Sequence, residues 1–200
     1  MFIQVIEGTS NRPDVLHRRL EIWNRELKPG AVGYLGSTGG CTPDGDCIMV
    51  VRFESRDAAY RNSDRPEQTA WWQMTNRYFV GPVRFHESED VQVMTHGALE
   101  HAQLVQAMDG YVTDLERAHA TESEAAAVLA AQRPDLLGSV TAYFDDGEFT
   151  ELAYFATKEV ARDGGQRAMP QETVEAFAEW SEVMLVERYL DLAEPWLITA

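Results

Sequence analysis

Arg84 and His86 alternate with Val83 and Phe85 in an extended run, so their side chains share one face of a strand. A guanidinium beside an imidazole can bind an anionic or phenolic molecule, and His86 can act as a general base near neutral pH. The alternative is a solvated strand end. Upstream, Trp71, Trp72, Gln73 and Asn76 fall in one helical run. Adjacent helical residues diverge by about 100°, so one indole can face a sheet while the other turns away, and both can serve simply as packing. Tyr34 and Gln4, on strands of the same half, are further candidates to line a cleft. Of the five histidines, His17, His96, His101 and His119 have no spacing that suggests shared metal coordination. Two cysteines without nearby histidines do not make a zinc site. The run GSTGG at Gly36 lacks the Lys-Ser or Lys-Thr of a phosphate-binding loop. These residues point to a small organic ligand and argue against a metal or nucleotide site.

The elements that must position them can be read in order. Phe2 to Ile6 is an apolar strand. Ser10 to Pro13 gives a helix start, and Val15, Leu16, Leu20, Trp23 and Leu27 recur at helical spacing until Pro29-Gly30 stops them. Ala31 to Ser37 and Cys47 to Phe53 predict a hairpin with Gly39-Gly40 loosening its tip. Pro43-Asp44-Gly45 is turn chemistry that brings Cys41 and Cys47 near each other. A cross-strand bridge is sterically allowed, but a cytoplasmic setting favours free thiols. A helical stretch from Ser55 breaks near Asn62 to Pro66 and resumes through Trp71, Trp72, Met74, Tyr78 and Phe79, with Gly81-Pro82 as its stop. Val83 opens a last strand that can continue to Met94.

This strand, helix, strand, strand, helix, strand order occurs twice. VIEG at Val5 returns as AMDG at Ala107, and FESRDAA at Phe53 returns as FATKEVA at Phe155, each 102 residues on. Pro66-Glu67 answers Pro170-Gln171, and Val83-Arg84-Phe85 answers Glu187-Arg188-Tyr189, at an offset of 104. One duplicated unit explains the pattern. The expected fold is α+β: two ferredoxin-like βαββαβ halves, residues 1–96 and 101–200, packed face to face as an intramolecular pseudo-dimeric α+β barrel. The 200 residues, 44% hydrophobic, suffice for that core. A net charge of -16 disfavours nucleic acid or an anionic membrane as partner, and no apolar run or signal-like N-terminus is present, so a cytoplasmic protein is expected. Further association of whole chains through outer sheet edges can give a homo-oligomer.

The segment FESRDAAYRNSDRPEQTAWW resembles the third strand and interrupted second helix of antibiotic biosynthesis monooxygenase-like domains, within the dimeric α+β barrel superfamily. The resemblance covers almost the whole chain, once per half. It implies an aromatic substrate held between sheet and helices without metal or flavin, with tryptophan and asparagine near the cleft associated with oxygen activation. Trp71, Trp72 and Asn76 can supply those types. The heme-degrading branch places a histidine on the second helix, and neither Glu67 to Phe79 nor Gln171 to Met184 contains one.

At the offset of 104, Gln73 and Asn76 correspond to Phe177 and Trp180. Two amides where the other copy has aromatic rings predict an open cleft in the first half, lined by some of Tyr34, Trp72, Gln73, Asn76, Arg84 and His86, and a plugged counterpart in the second. The alternative is a one-residue slip that sends Gln73 to solvent. Two functional readings stay open. One is a barrel that sequesters or senses a small molecule, or serves as an interaction scaffold, without turnover. The other is a cofactor-independent monooxygenase-like enzyme for an aromatic or polyketide-like compound, with Trp72, Asn76 and His86 catalytic and Tyr34, Gln73 and Arg84 contacting the ligand.

Overall fold

The computed structural model describes residues 1–158 and 171–200. The alternation of FIQVIEGT forms β1 (Phe2–Thr9), and the stripe of Leu16, Leu20 and Trp23 lies along the buried face of α1 (Pro13–Glu26). Ser10 tightens the helix entry: its Oγ accepts from the Arg12 N–H at 3.0 Å and donates to the Tyr78 carbonyl at 2.7 Å. β2 (Tyr34–Cys41) and β3 (Asp46–Phe53) form the hairpin. Gly39 and Gly40 lie inside its ladder, opposite Met49 and Ile48, and not at a loose tip. A Cβ on Gly39 would meet the Met49 sulfur at 2.8 Å and the Ile48 carbonyl at 2.6 Å, so the close strand approach requires glycine there.

The register also sets Cys41 directly opposite Cys47, with Cα atoms 4.0 Å apart, and the two are disulfide-bonded. Hairpin geometry thus overrides the expectation of free thiols.

The interrupted helix follows as α2 (Arg56–Ser63) and α3 (Pro66–Thr75). Ser55 caps α2 by accepting the Ala58 N–H at 3.2 Å. Arg65 holds the break, donating to the Leu27 carbonyl at 3.0 Å and to Asn62 Oδ1 at 2.9 Å. α3 ends earlier than the sequence suggests. A single turn of tighter helix at Asn76–Tyr78 leads into β4 (Val80–Ser88). Gly81 and Pro82 lie within β4, because this is an edge strand where proline's missing donor costs no ladder bond.

β5 (Asp90–Thr95) does not continue this sheet. The second set of elements is β6 (Leu104–Val112), α4 (Leu115–Gln132), β7 (Leu136–Tyr143), β8 (Glu148–Phe155), α5 (Gln171–Val183), β9 (Met184–Leu192) and β10 (Trp196–Thr199). The sheets run β10-β2-β3-β1-β4 and β5-β7-β8-β6-β9. Each five-stranded sheet therefore takes one of its two outer strands, β10 or β5, from the tail of the other repeat. The compact units are Met1–Asp90 with Glu194–Ala200, and Val91–Ala193. These bounds differ from the simple division at 96 and 101 because the two tails are exchanged.

Among the described residues each unit shows a buried apolar cluster. The first is built on Phe2, Trp23, Leu27, Tyr34 and Phe53, with Trp71 packed against it. The second is built on Leu104, Met108, Tyr143, Phe149 and Phe155, with Trp180 against it. Burying each large side chain contributes on the order of 2 kcal/mol.

Candidate functional site

In the first unit the α1, α2 and α3 helices stand off the sheet enough to leave a cavity of ≈ 440 Å³. Its walls are largely aromatic: Trp23, Tyr34, Trp71, Trp72, Phe79 and Phe85 all line it. The polar groups of the deep end are mostly committed to one another. Trp23 Nε1 donates to Gln68 Oε1 at 2.6 Å, Trp71 Nε1 donates to the Arg19 carbonyl at 2.9 Å, and the Tyr34 hydroxyl donates to Ser37 Oγ at 2.7 Å. Burial pushes the Tyr34 hydroxyl up to about 12, against the smaller opposing effects of the Ser37 bond and Arg52. Tyr34 is therefore a neutral phenol at physiological pH. It can orient a ligand oxygen through the Ser37 hydroxyl but cannot serve as a base.

Trp72 lies toward the outer part of the cavity, its ring 5.3 Å from Phe85 in an edge-on contact and 6.2 Å from Phe79. Among the described residues no hydrogen bond holds its indole N–H, and the ring itself forms part of the wall. Tyr60 and Gln4 both donate to the Glu87 carboxylate, at 2.8 and 2.7 Å, along one rim. The second unit repeats the Gln4 pair as Gln106 to Asp191 at 2.8 Å. That repetition assigns Gln4 a shared cross-strand role.

Tyr34 and Trp72 thus reach the cavity; Gln73, Asn76, Arg84 and His86 do not. Gln73 and Asn76 are exposed. Arg84 and His86 occupy the opposite face of β4 from Phe85 and Glu87, and bond to each other at 3.0 Å between Nη2 and Nε2. The register sets Arg84 opposite Glu7 as it sets Arg188 opposite Asp109, where a 2.6 Å ion pair forms.

The slip in the amide comparison has a local cause. Arg84 and Arg188 stand opposite equivalent residues 104 apart, but Val80 opposite Thr9 corresponds to Leu185 opposite Tyr111, 105 apart. The bulge in β4 contains one residue more than the bulge in β9. At 105, Gln73 and Asn76 answer the exposed Ala178 and Ser181, whereas Trp180 answers the buried Thr75. The side chain of Phe177 lies outside the described residues. Nor is the second unit plugged: it has its own cavity of ≈ 780 Å³, with Trp180 as one wall.

No helix is long and apolar enough to cross a membrane among the described residues. No family model matches the sequence, and no curated protein matches it. Solved structures do share its fold over the full length. A candidate monooxygenase from Lactobacillus acidophilus is 15% identical with a TM-score of 0.71, covering 99% of this chain and 93% of that one. A second candidate monooxygenase, from Fusobacterium nucleatum, is 7% identical at 0.72, with 99% and 91% covered. An anthrone oxidase-like protein is 11% identical at 0.69, with 100% and 91% covered. At these identities the likeness establishes the fold alone: the chain carries the same α+β architecture along its length, and its two sheets repeat one strand order.

Proposed function

We propose that the first unit binds a small, largely apolar aromatic molecule in the cavity walled by Trp23, Trp71 and Trp72. The carrying observation is the composition of that wall: aromatic surfaces on several sides, with the indole N–H groups of Trp23 and Trp71 already paired and the Trp72 ring at its outer part. The net charge of -16 supports this reading over nucleic acid or anionic membrane partners. A cytoplasmic setting belongs to the same proposal; Cys47 is only 5% exposed there, which restricts attack by thiolate reductants on its bridge. Association of whole chains is measurable by size-exclusion chromatography with light scattering.

The full-length fold likeness to candidate monooxygenases and to an anthrone oxidase-like protein favours a second reading, a cofactor-independent oxygenase. Trp72 would be its catalytic residue, and the placement of Asn76 and His86 outside the cavity argues against a direct role for either. Calorimetry with naphthol, alongside oxygen uptake with anthrone, distinguishes the two. Binding should weaken by about tenfold in Trp72→Ala, the loss of one stacked ring. Uptake that disappears in Trp72→Phe supports catalysis; binding without uptake supports a carrier. Naphthol affinity unchanged in Trp72→Ala contradicts both.

A further inference from the structure

The second unit's cavity has a different chemistry, carried by residues that the reading above does not use. β8 places Glu151 in its wall, 9% exposed, and Glu151 Oε2 is buried without a hydrogen-bond partner among the described residues. Thr141 lies directly across the β7–β8 ladder from Glu151 and donates through Oγ1 to Glu122 Oε1 at 2.8 Å. The two carboxyl groups therefore flank one threonine, Glu122 arriving from α4 and Glu151 from the sheet. An unpartnered carboxylate oxygen in a low-dielectric wall is costly unless the acid holds its proton or a ligand donor meets it.

The rest of the lining limits what that donor belongs to. Met94, Met108, Leu129 and Trp180 make an apolar body for the cavity. Arg133 also borders it, but its guanidinium is held by Asp135 in a two-pronged contact at 2.7 to 3.2 Å. The existing cation is thus neutralised locally and does not answer Glu151. No group of three or more His, Cys, Asp or Glu among the described residues could hold a metal ion, which favours an organic cation over an inorganic one.

We propose that the second unit binds an amphipathic primary amine, its ammonium group between Glu122 and Glu151 and its apolar body against Met94, Met108, Leu129 and Trp180. An ammonium offers three donors, enough to satisfy Glu151 Oε2 and share Glu122 with Thr141. The site shares no residue with the first cavity, so its failure leaves the aromatic-binding reading untouched.

Proton release accompanies binding. Burial, and secondarily the Glu122 charge, raises the Glu151 carboxyl to about 8, with the Ser139 bond opposing. The facing groups on other elements are Glu122 from α4, the neutral Met108 from β6, and the neutral Ser139 and Thr141 from β7. Glu151 is therefore protonated near neutral pH and surrenders its proton when an ammonium arrives.

The test is calorimetry of the full chain with phenethylamine and its neutral counterpart, phenethyl alcohol, in buffers of different ionisation enthalpy. The amine should bind about tenfold more tightly and release about one proton near neutral pH. Glu151→Gln, isosteric with the neutral acid, should abolish the proton release and reduce the preference to within about threefold. Equal affinity for the two probes, or a preference that survives in both Glu151→Gln and Glu122→Gln, overturns the proposal. Carbon-13 titration of Glu151 in the unaltered protein gives a check that does not depend on a variant folding. Its midpoint should fall when phenethylamine saturates the protein, and a midpoint that stays put also overturns it.

Discussion

The same lattice of strands and helices carries two different interiors. Met49 stands opposite Gly39 where Glu151 stands opposite Thr141, and Tyr34 stands opposite Phe53 where Leu136 stands opposite Phe155. α1 and α4 begin 102 residues apart, at Pro13 and Leu115, so Leu20 and Trp23 occupy the stations of Glu122 and Ala125. Cys41 and Cys47 form a bridge where Tyr143 and Phe149 pair. The first unit fills these stations with rings and keeps a cavity of ≈ 440 Å³; the second uses smaller and acidic side chains and keeps ≈ 780 Å³. Backbone registers are nearly conserved between repeats while the side chains at matched stations diverge. The duplication thus preserves the scaffold and specialises its two cavities separately.

The comparison breaks most severely at Trp23. Replacing it by alanine, the residue at the equivalent α4 station, removes a buried ring packed 5.0 Å from Tyr34 and a bond to Gln68. Trp23→Ala should cost about 3–5 kcal/mol in denaturant unfolding, a large-to-small core change with little room to collapse. A loss below about 1 kcal/mol would mean that the cavity wall, and hence the first unit's aromatic interior, is not rigidly built.

The second unit carries a buried acid whose titration is linked to stability. Glu151 has its folded value raised from 4.5 to about 8, so the folded state holds a proton that the unfolded chain gives up. Its contribution is fully present below 4.5 and is lost as pH rises toward about 8. Stability should decline through that window by about 1 kcal/mol per pH unit from this group. Glu151→Met, which copies Met49, should flatten the decline and add roughly 1–3 kcal/mol near the upper end of the window, since a buried unpaired acceptor disappears. Parallel pH profiles for the variant and the unaltered protein would remove the buried acid from the account.

The smallest effect is expected at the exposed amides. Gln73→Ala and Asn76→Ala should each change stability by less than about 0.5 kcal/mol and leave naphthol binding unaltered. A clear loss of binding would restore them to the site and require α3 to be rotated from its described orientation.

Features set by short-range signals are legible in the sequence, and those set by distant pairing are not. The interrupted second helix is legible because Ser55 caps one piece and Pro66 starts the next, both short-range signals. Tyr34 and Trp72 are legible as cavity residues through strand and helix periodicity. The β4 bulge is not, since Gly81-Pro82 is equally good as a helix stop and as an irregular edge strand; the choice depends on pairing with Thr9, far away in sequence. That single residue shifts the match between the repeats by one and so sets Gln73 and Asn76 against exposed residues of the second unit. The exchange of β5 and β10 is likewise a long-range event. Nothing local marks Glu151 either: glutamate is almost never fully buried without a partner, and its burial depends on α4 and on Thr141 across the hairpin.

The most direct test of two chemically distinct cavities is a nitrogen-15 spectrum of the indole N–H groups. The chain has five tryptophans. Trp23, Trp71, Trp72 and Trp196 line the first cavity, and Trp180 lines the second. After assignment by single Trp→Phe variants, naphthol should shift the Trp72 signal and leave Trp180 in place, while phenethylamine should shift Trp180 and leave Trp72 in place. Shifts of the same signals by both compounds, or a response of Trp72 to the amine alone, would contradict the division.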